Sequence, residues 1–184
     1  MGARRAILVA LFAAAGCGGG EKPKQPLPAV PDKISLASPD IKDGGTIPTR
    51  LTCDGAGTPP TISYRGLDPA AGAEAVFIVE DPDAPGGTFT HWTVYRIPTR
   101  AGSNLAPQGR FPGGVRSGKN SAGKTGWTPP CPPKGDDAHH YTFALYELKT
   151  RSNLPDGASP EQVRALLKGA VARGTFTATY KRAQ

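Results

Sequence analysis

The chain has 184 residues, of which 24 are glycine and 20 proline, and these two poor helix formers recur every few residues, so a long helical bundle is excluded. With 38% hydrophobic and 20% charged residues and no collagen-like period, one packed domain remains open to it, which points to a β-rich fold with long ordered loops. The formal net charge is +7, but its distribution says more than its total.

Residues 1–17 read as an export signal. Arg4 and Arg5 precede an unbroken apolar run of ten residues, Ala6 to Ala15, which is too short to span a bilayer and suits a signal-peptide core. The run ends in Ala14-Ala15-Gly16-Cys17, which resembles a bacterial lipoprotein signal in which the cysteine, here Cys17, becomes the acylated first residue. Position 14 departs from that pattern, where a larger aliphatic residue is usual, and an ordinary secretory signal with an incidental Cys17 is the alternative. No aspartate follows Cys17, so the expected location is the cell envelope, on the periplasmic side of the outer membrane in a Gram-negative cell.

Residues 18–33 hold three glycines and four prolines and read as a tether, flexible at the glycines and extended at the prolines. The domain is taken to run over 34–184. Within it the sequence predicts short strands at Ile34–Ala37, Thr61–Tyr64, Ala75–Glu80, His91–Ile97, His140–Leu148 and Thr175–Tyr180, each rich in β-branched or aromatic residues and bounded by turn formers. In the fifth, Tyr141, Phe143 and Leu145 share one face and Ala144 and Tyr146 the other. One helix is expected after Ser159, with Pro160 in its first turn, Gln162 completing a capping box and Val163, Leu166, Leu167 and Ala170 as its apolar stripe. The fold class is all-β with minor α: an antiparallel β-sandwich with one C-terminal helix.

From position 84 to 135 there is no Asp or Glu but seven bases, Arg96, Arg100, Arg110, Arg116, Lys119, Lys124 and Lys134. A positive field on glycine- and proline-rich loops favours an anionic ligand or surface, the plain alternative being a solvated basic face. Few aromatics and no binding motif count against nucleic acid. Within this block Gly118 to Thr125 fits the phosphate-loop pattern GxxxxGK[ST] letter for letter. That loop requires a buried strand before it and a helix after it. The flanks FPGGVRS and GWTPPCPP can form neither, so the match is chance.

The chemically informative residues lie around it. Asp81-Pro82-Asp83-Ala84-Pro85 ends an apolar strand, His91-Trp92 opens the next, and the rigid Pro129-Pro130-Cys131-Pro132-Pro133 run leads into His139-His140-Tyr141. Three strand ends therefore supply a carboxylate, an imidazole, and an imidazole with a phenol. Read alone, Asp81 and Asp83 are also good turn formers, His91 an interior histidine and Tyr141 a core residue. Cys53 and Cys131 are left in an export compartment where disulfides persist, either bridged or as two buried thiols, and their spacing matches no zinc motif.

These motifs in this order resemble the phosphatidylethanolamine-binding protein family, its bacterial Raf-kinase-inhibitor-like branch in particular, from Ile34 to Arg182. TCDG at 52–55, the GKNSAGKTGW stretch and the Ala172–Tyr180 segment belong to the same resemblance. It implies a β-sandwich with a small anion pocket at one end, lined by Asp81, His91, His139 and Tyr141, with Asp83, Pro130 and Pro132 supporting it. The ligand implied is a phosphate-bearing anion or a phospholipid head group. Imidazoles and a phenol donate hydrogen bonds to phosphate oxygens, and a carboxylate such as Asp81 can hold a histidine protonated and oriented. His140 should face away and be structural or surface. Pro129, Ala178 and Trp127 depart from the family pattern at the rim, at the last strand and beneath the loop. The chain is expected to be a binding protein with no cofactor and no metal. The alternatives are a protein-binding module that inhibits a protease or kinase, with its partner unknown, and a His/Asp metal-dependent enzyme.

Overall fold

Two β-sheets stack face to face in the computed structural model, which describes residues 26–99, 103–105 and 113–183. The signal of residues 1–17 and the glycine end of the tether lie outside these. The strands are β1 (Ser35–Ala37), β2 (Gly45–Thr46), β3 (Ile62–Arg65), β4 (Glu74–Asp81), β5 (Phe89–Ile97), β6 (Ser103–Leu105), β7 (Arg116–Ser117), β8 (His139–Leu148) and β9 (Ala170–Tyr180). One sheet has the order β1-β3-β6 and the other β2-β9-β8-β4-β5-β7. The pairings are antiparallel except for the short β2–β9 pair.

The larger sheet is covered on both faces, which is why β4 is apolar without alternation and buried along its whole length. On the inner face Phe77, Val79, Trp92, Phe143, Leu145 and Phe176 build the main core against Leu36, Ile62 and Tyr64 of the smaller sheet. On the outer face Val76, Ile78, Tyr95, Ala144 and Tyr146 meet Val163 and Leu167. The alternation along β8 thus divides its side chains between two cores. Phe143 stacks on Phe176 with ring centroids 4.5 Å apart.

The helix, α1 (Pro160–Leu166), carries the expected capping box, with the Ser159 hydroxyl accepting from the Gln162 backbone and the Gln162 side chain accepting from the Ser159 backbone. It tightens into a 3-10 turn at Leu167–Gly169 and passes straight into β9. That strand starts at Ala170 rather than near Thr175. Its early half reads poorly as a strand because of Gly174, yet a Cβ there would lie 2.1 Å from the Ile34 carbonyl oxygen, so only glycine lets the incoming chain cross. The short β2, β6 and β7 have no signature of their own.

The stretch before β1 is held against the outer face. Leu27 and Val30 pack on the second core. Tyr146 donates to the Pro28 carbonyl at 3.0 Å, the Arg173 backbone donates to Pro31 O at 2.9 Å, and the Arg173 guanidinium pairs with Asp32 at 2.8 Å. Packed contacts thus begin upstream of Ile34. Among the described residues no helix is long and apolar enough to cross a membrane.

Candidate functional site

β4 ends at Asp81, whose Oδ1 accepts the backbone N–H of Asp83 at 2.8 Å and so turns the chain sharply through Pro82. Its Oδ2 accepts Nδ1–H of His139 at 2.7 Å, and both side chains are almost wholly buried. Asp83 fastens the same turn to β8 from outside, accepting from the His140 backbone at 2.9 Å and from its imidazole at 2.7 Å. His140 is exposed, as alternation along the strand requires, and its side chain serves this outer clip.

His91 stands on β5 beside these groups. Its Nδ1 lies 2.7 Å from the Thr128 carbonyl oxygen, so Nδ1–H donates there and Nε2 remains over, without a partner among the described residues. Phe89, Tyr141 and Trp127 surround the ring, with centroids 4.7, 5.3 and 6.1 Å away. Burial pushes the His91 imidazole below the usual histidine range, against the opposing effects of the Thr128 hydrogen bond and the Asp81 charge. Tyr141, on β8, is fully buried, and its hydroxyl has no hydrogen-bond partner. Burial, reinforced by the charges of Asp81 and Asp83, pushes this phenol far up, so it is a committed proton donor.

The structure therefore gathers Asp81, His91, His139 and Tyr141 at one end of the large sheet. Asp83 buttresses the turn, and Pro130 and Pro132 are buried in the loop that approaches from the other side. Cys53 and Cys131 are joined by a disulfide with Cα atoms 5.3 Å apart, and the Cys53 backbone donates to Pro130 O at 3.1 Å. The TCDG turn and the proline run are thus bound together. Pro129 lies near Gly57, and Trp127 donates its indole N–H to Gly57 O at 3.1 Å while packing edge-on against Trp92.

Sequence reasoning missed Asn120. This buried side chain donates to Gly126 O at 2.9 Å and to Thr128 Oγ1 at 2.6 Å, and accepts from the Ala122 and Lys124 backbones. It is the inner brace of the GKNSAGKTGW loop, holding the residue whose carbonyl orients His91. No helix follows this loop, so it has none of the phosphate-loop architecture its letters suggest. A recess of about 640 Å³ is lined by Asp54, Lys134, Tyr180 and Lys181 and by none of the four buried groups; Tyr180 is the register partner of His139. Its hydroxyl donates to Asp54 at 2.8 Å, and Arg182 pairs with the same carboxylate. Among the described residues no group of three His, Cys, Asp or Glu side chains is arranged to hold a metal ion.

Residues 37–181 match the family model described as phosphatidylethanolamine-binding protein. The chain is 36% identical to LppC of Mycobacterium tuberculosis, a protein named as a lipoprotein, over 96% of this chain and 92% of that one. It is 37% identical to the UPF0098 protein PH1269 of Pyrococcus horikoshii, over 91% of this chain and 82% of the relative. Among solved structures, Escherichia coli YbcL, described as a member of the mammalian PEBP family, superposes with a TM-score of 0.75 at 32% identity, covering 82% of this chain and 99% of YbcL. CT736 of Chlamydia trachomatis gives a TM-score of 0.72 at 32% identity, with the same coverage. The chain belongs to the phosphatidylethanolamine-binding protein family.

Proposed function

We propose that this member of the family is a lipid-anchored binding protein of the cell envelope, and that Asp81, His91, His139 and Tyr141 take the phosphate of a free anion or of a phospholipid head group. The observation that carries the reading is the Tyr141 hydroxyl, buried with no partner beside the unused Nε2 of His91. An orphaned buried donor costs on the order of 1–3 kcal/mol, and an acceptor oxygen from a ligand removes that cost. Phosphate supplies such oxygens for Tyr141 O–H and for both imidazoles: Nδ1 of each is engaged, His91 Nε2 has no partner among the described residues, and His139 Nε2 has only the Asp136 carboxylate at 3.8 Å, beyond hydrogen-bond reach. The negative charge of Asp81 is offset by its hydrogen bonds to His139 and to the Asp83 backbone. The recess lined by Tyr180, the register partner of His139, with Lys134 and Lys181 on its wall, is where the rest of a head group would lie.

A binding role suits these groups better than catalysis. The two domain cysteines are bonded to each other, and Asp81 is spent on His139 and its own turn. The anchor reading rests on the Ala14 to Cys17 pattern and on the likeness to LppC. Titration with inorganic phosphate and phosphoethanolamine, followed through the imidazole NMR signals, tests the site. Two of the three histidines should shift saturably, and the response should vanish in His91→Ala and His139→Ala; silence at millimolar ligand refutes it. Radiolabelled palmitate incorporated by the parent and not by Cys17→Ala tests the anchor.

A further inference from the structure

β4 carries Asp81 at one end and Glu74 at the other, seven residues or roughly 23 Å apart. Glu74 is 3% exposed and its Oε1 has no hydrogen-bond partner. Ser152, 8% exposed, likewise has a buried Oγ without a partner. Both line one recess of about 490 Å³, together with Arg96, Pro98, Arg151 and Asn153. A second recess of the same size, with Lys149 on its wall, adjoins it across Pro98 and Arg151.

The backbone there is specialised. Ala75 pairs with Ile97 and Phe77 with Val94, so Tyr95 and Arg96 together oppose the single residue Val76, which is a β-bulge. Arg96 absorbs it with φ of 57°, the one positive value among the described non-glycine residues. Such strain marks places where a side chain is re-aimed. The Arg96 guanidinium donates to Leu154 O at 2.9 Å, fixing it over the turn that supplies Arg151, Ser152 and Asn153.

We propose that this recess binds a small zwitterion with a primary ammonium group beside an anionic group, an α-amino acid being the simplest case. Charge decides the class. A lone anion meets the buried carboxylate of Glu74, and a lone cation meets Arg96, Arg151 and Lys149. A zwitterion satisfies both signs. Its ammonium, with three donors, serves Glu74 Oε1 and Ser152 Oγ together, while its carboxylate lies on the exposed Arg151 fork, which has no partner among the described residues. The site is separate from the histidine cluster and does not depend on it.

The test is a backbone amide NMR titration of the protein with glycine, with acetate and methylammonium as half-ligands. A five-heavy-atom ligand in an open recess is expected to bind at about the millimolar level, so the titration extends to roughly 10 mM. Glycine should shift the amides of Glu74, Arg151 and Ser152 saturably, with both half-ligands inert at equal concentration. The His91 and His139 imidazole signals should not move. Arg151→Ala, a surface change that leaves folding intact, should weaken the response about tenfold, as should Glu74→Gln. No shift with glycine, an equal shift with acetate alone, a shift centred on the histidines, or an unchanged response in both variants overturns the proposal.

Discussion

The Asp81 carboxylate is shared between its own turn and a neighbouring strand: Oδ2 accepts Nδ1–H of His139 at 2.7 Å while Oδ1 accepts the Asp83 backbone at 2.8 Å. The tautomer and ring orientation of His139 are thus set by the residue that ends β4. Asp81→Ala leaves a buried imidazole N–H and a turn N–H without acceptors. It should cost about 3 kcal/mol in denaturant unfolding, with phosphate binding lost as well.

Tyr141→Phe should move stability and binding in opposite directions. The phenol oxygen has no partner to lose, so its removal should leave the unliganded protein at least as stable, by up to about 1 kcal/mol. Phosphate affinity should drop about tenfold, the worth of one hydrogen bond to a charged acceptor. A variant that unfolds more readily than the parent contradicts the reading of that hydroxyl.

The pH dependence follows from His91. Its folded value is depressed, chiefly by burial, so the unfolded chain takes up the proton first as pH falls. The stability contributed by neutral His91 is therefore complete above about pH 6.5 and declines below it. Phosphate affinity should run the other way and rise on acidification, because Nε2 donates to the anion only when protonated. Comparing the parent with His91→Gln from pH 5 to 8, by thermal melts and by phosphate titration, isolates both slopes.

Asn120→Ala removes four hydrogen bonds from the interior of one loop and should cost roughly 2–4 kcal/mol. Because Thr128 loses its brace, the His91 imidazole signal should broaden or shift even without ligand. A merely structural loop residue, remote from the site, would leave that signal where it was.

Replacing Cys53 and Cys131 together by serine opens a link between residues 78 apart. Loop-closure entropy puts the loss at about 4 kcal/mol. The TCDG turn and the proline run should then exchange hydrogen for deuterium faster than β4 and β8, while the sandwich still folds.

Much of this was legible in the residues, for identifiable reasons. β4, β5 and β8 are long and apolar, and the Ser159–Gln162 capping box is a local device that works the same way in any context. The motifs at 81–85, 91–92 and 139–141 named the carboxylate, imidazoles and phenol that the structure brings together. What stayed hidden acts through tertiary context. β2 and β7 are two residues long and exist only because β9 and β5 offer them an edge. Asn120 works on backbone groups, which carry no letter in a sequence. Glu74 reads as a solvated charge before a strand, and only the fold closes over it.

The strap of residues 26–33 along the outer face has a mechanical consequence. If Cys17 is lipidated as proposed, eight residues lie between the bilayer attachment and Pro26, a span of at most about 30 Å. Because Pro28, Pro31 and Asp32 are tied to Tyr146 and Arg173, any pull on the lipid is borne by β8 and β9 rather than by a loose end.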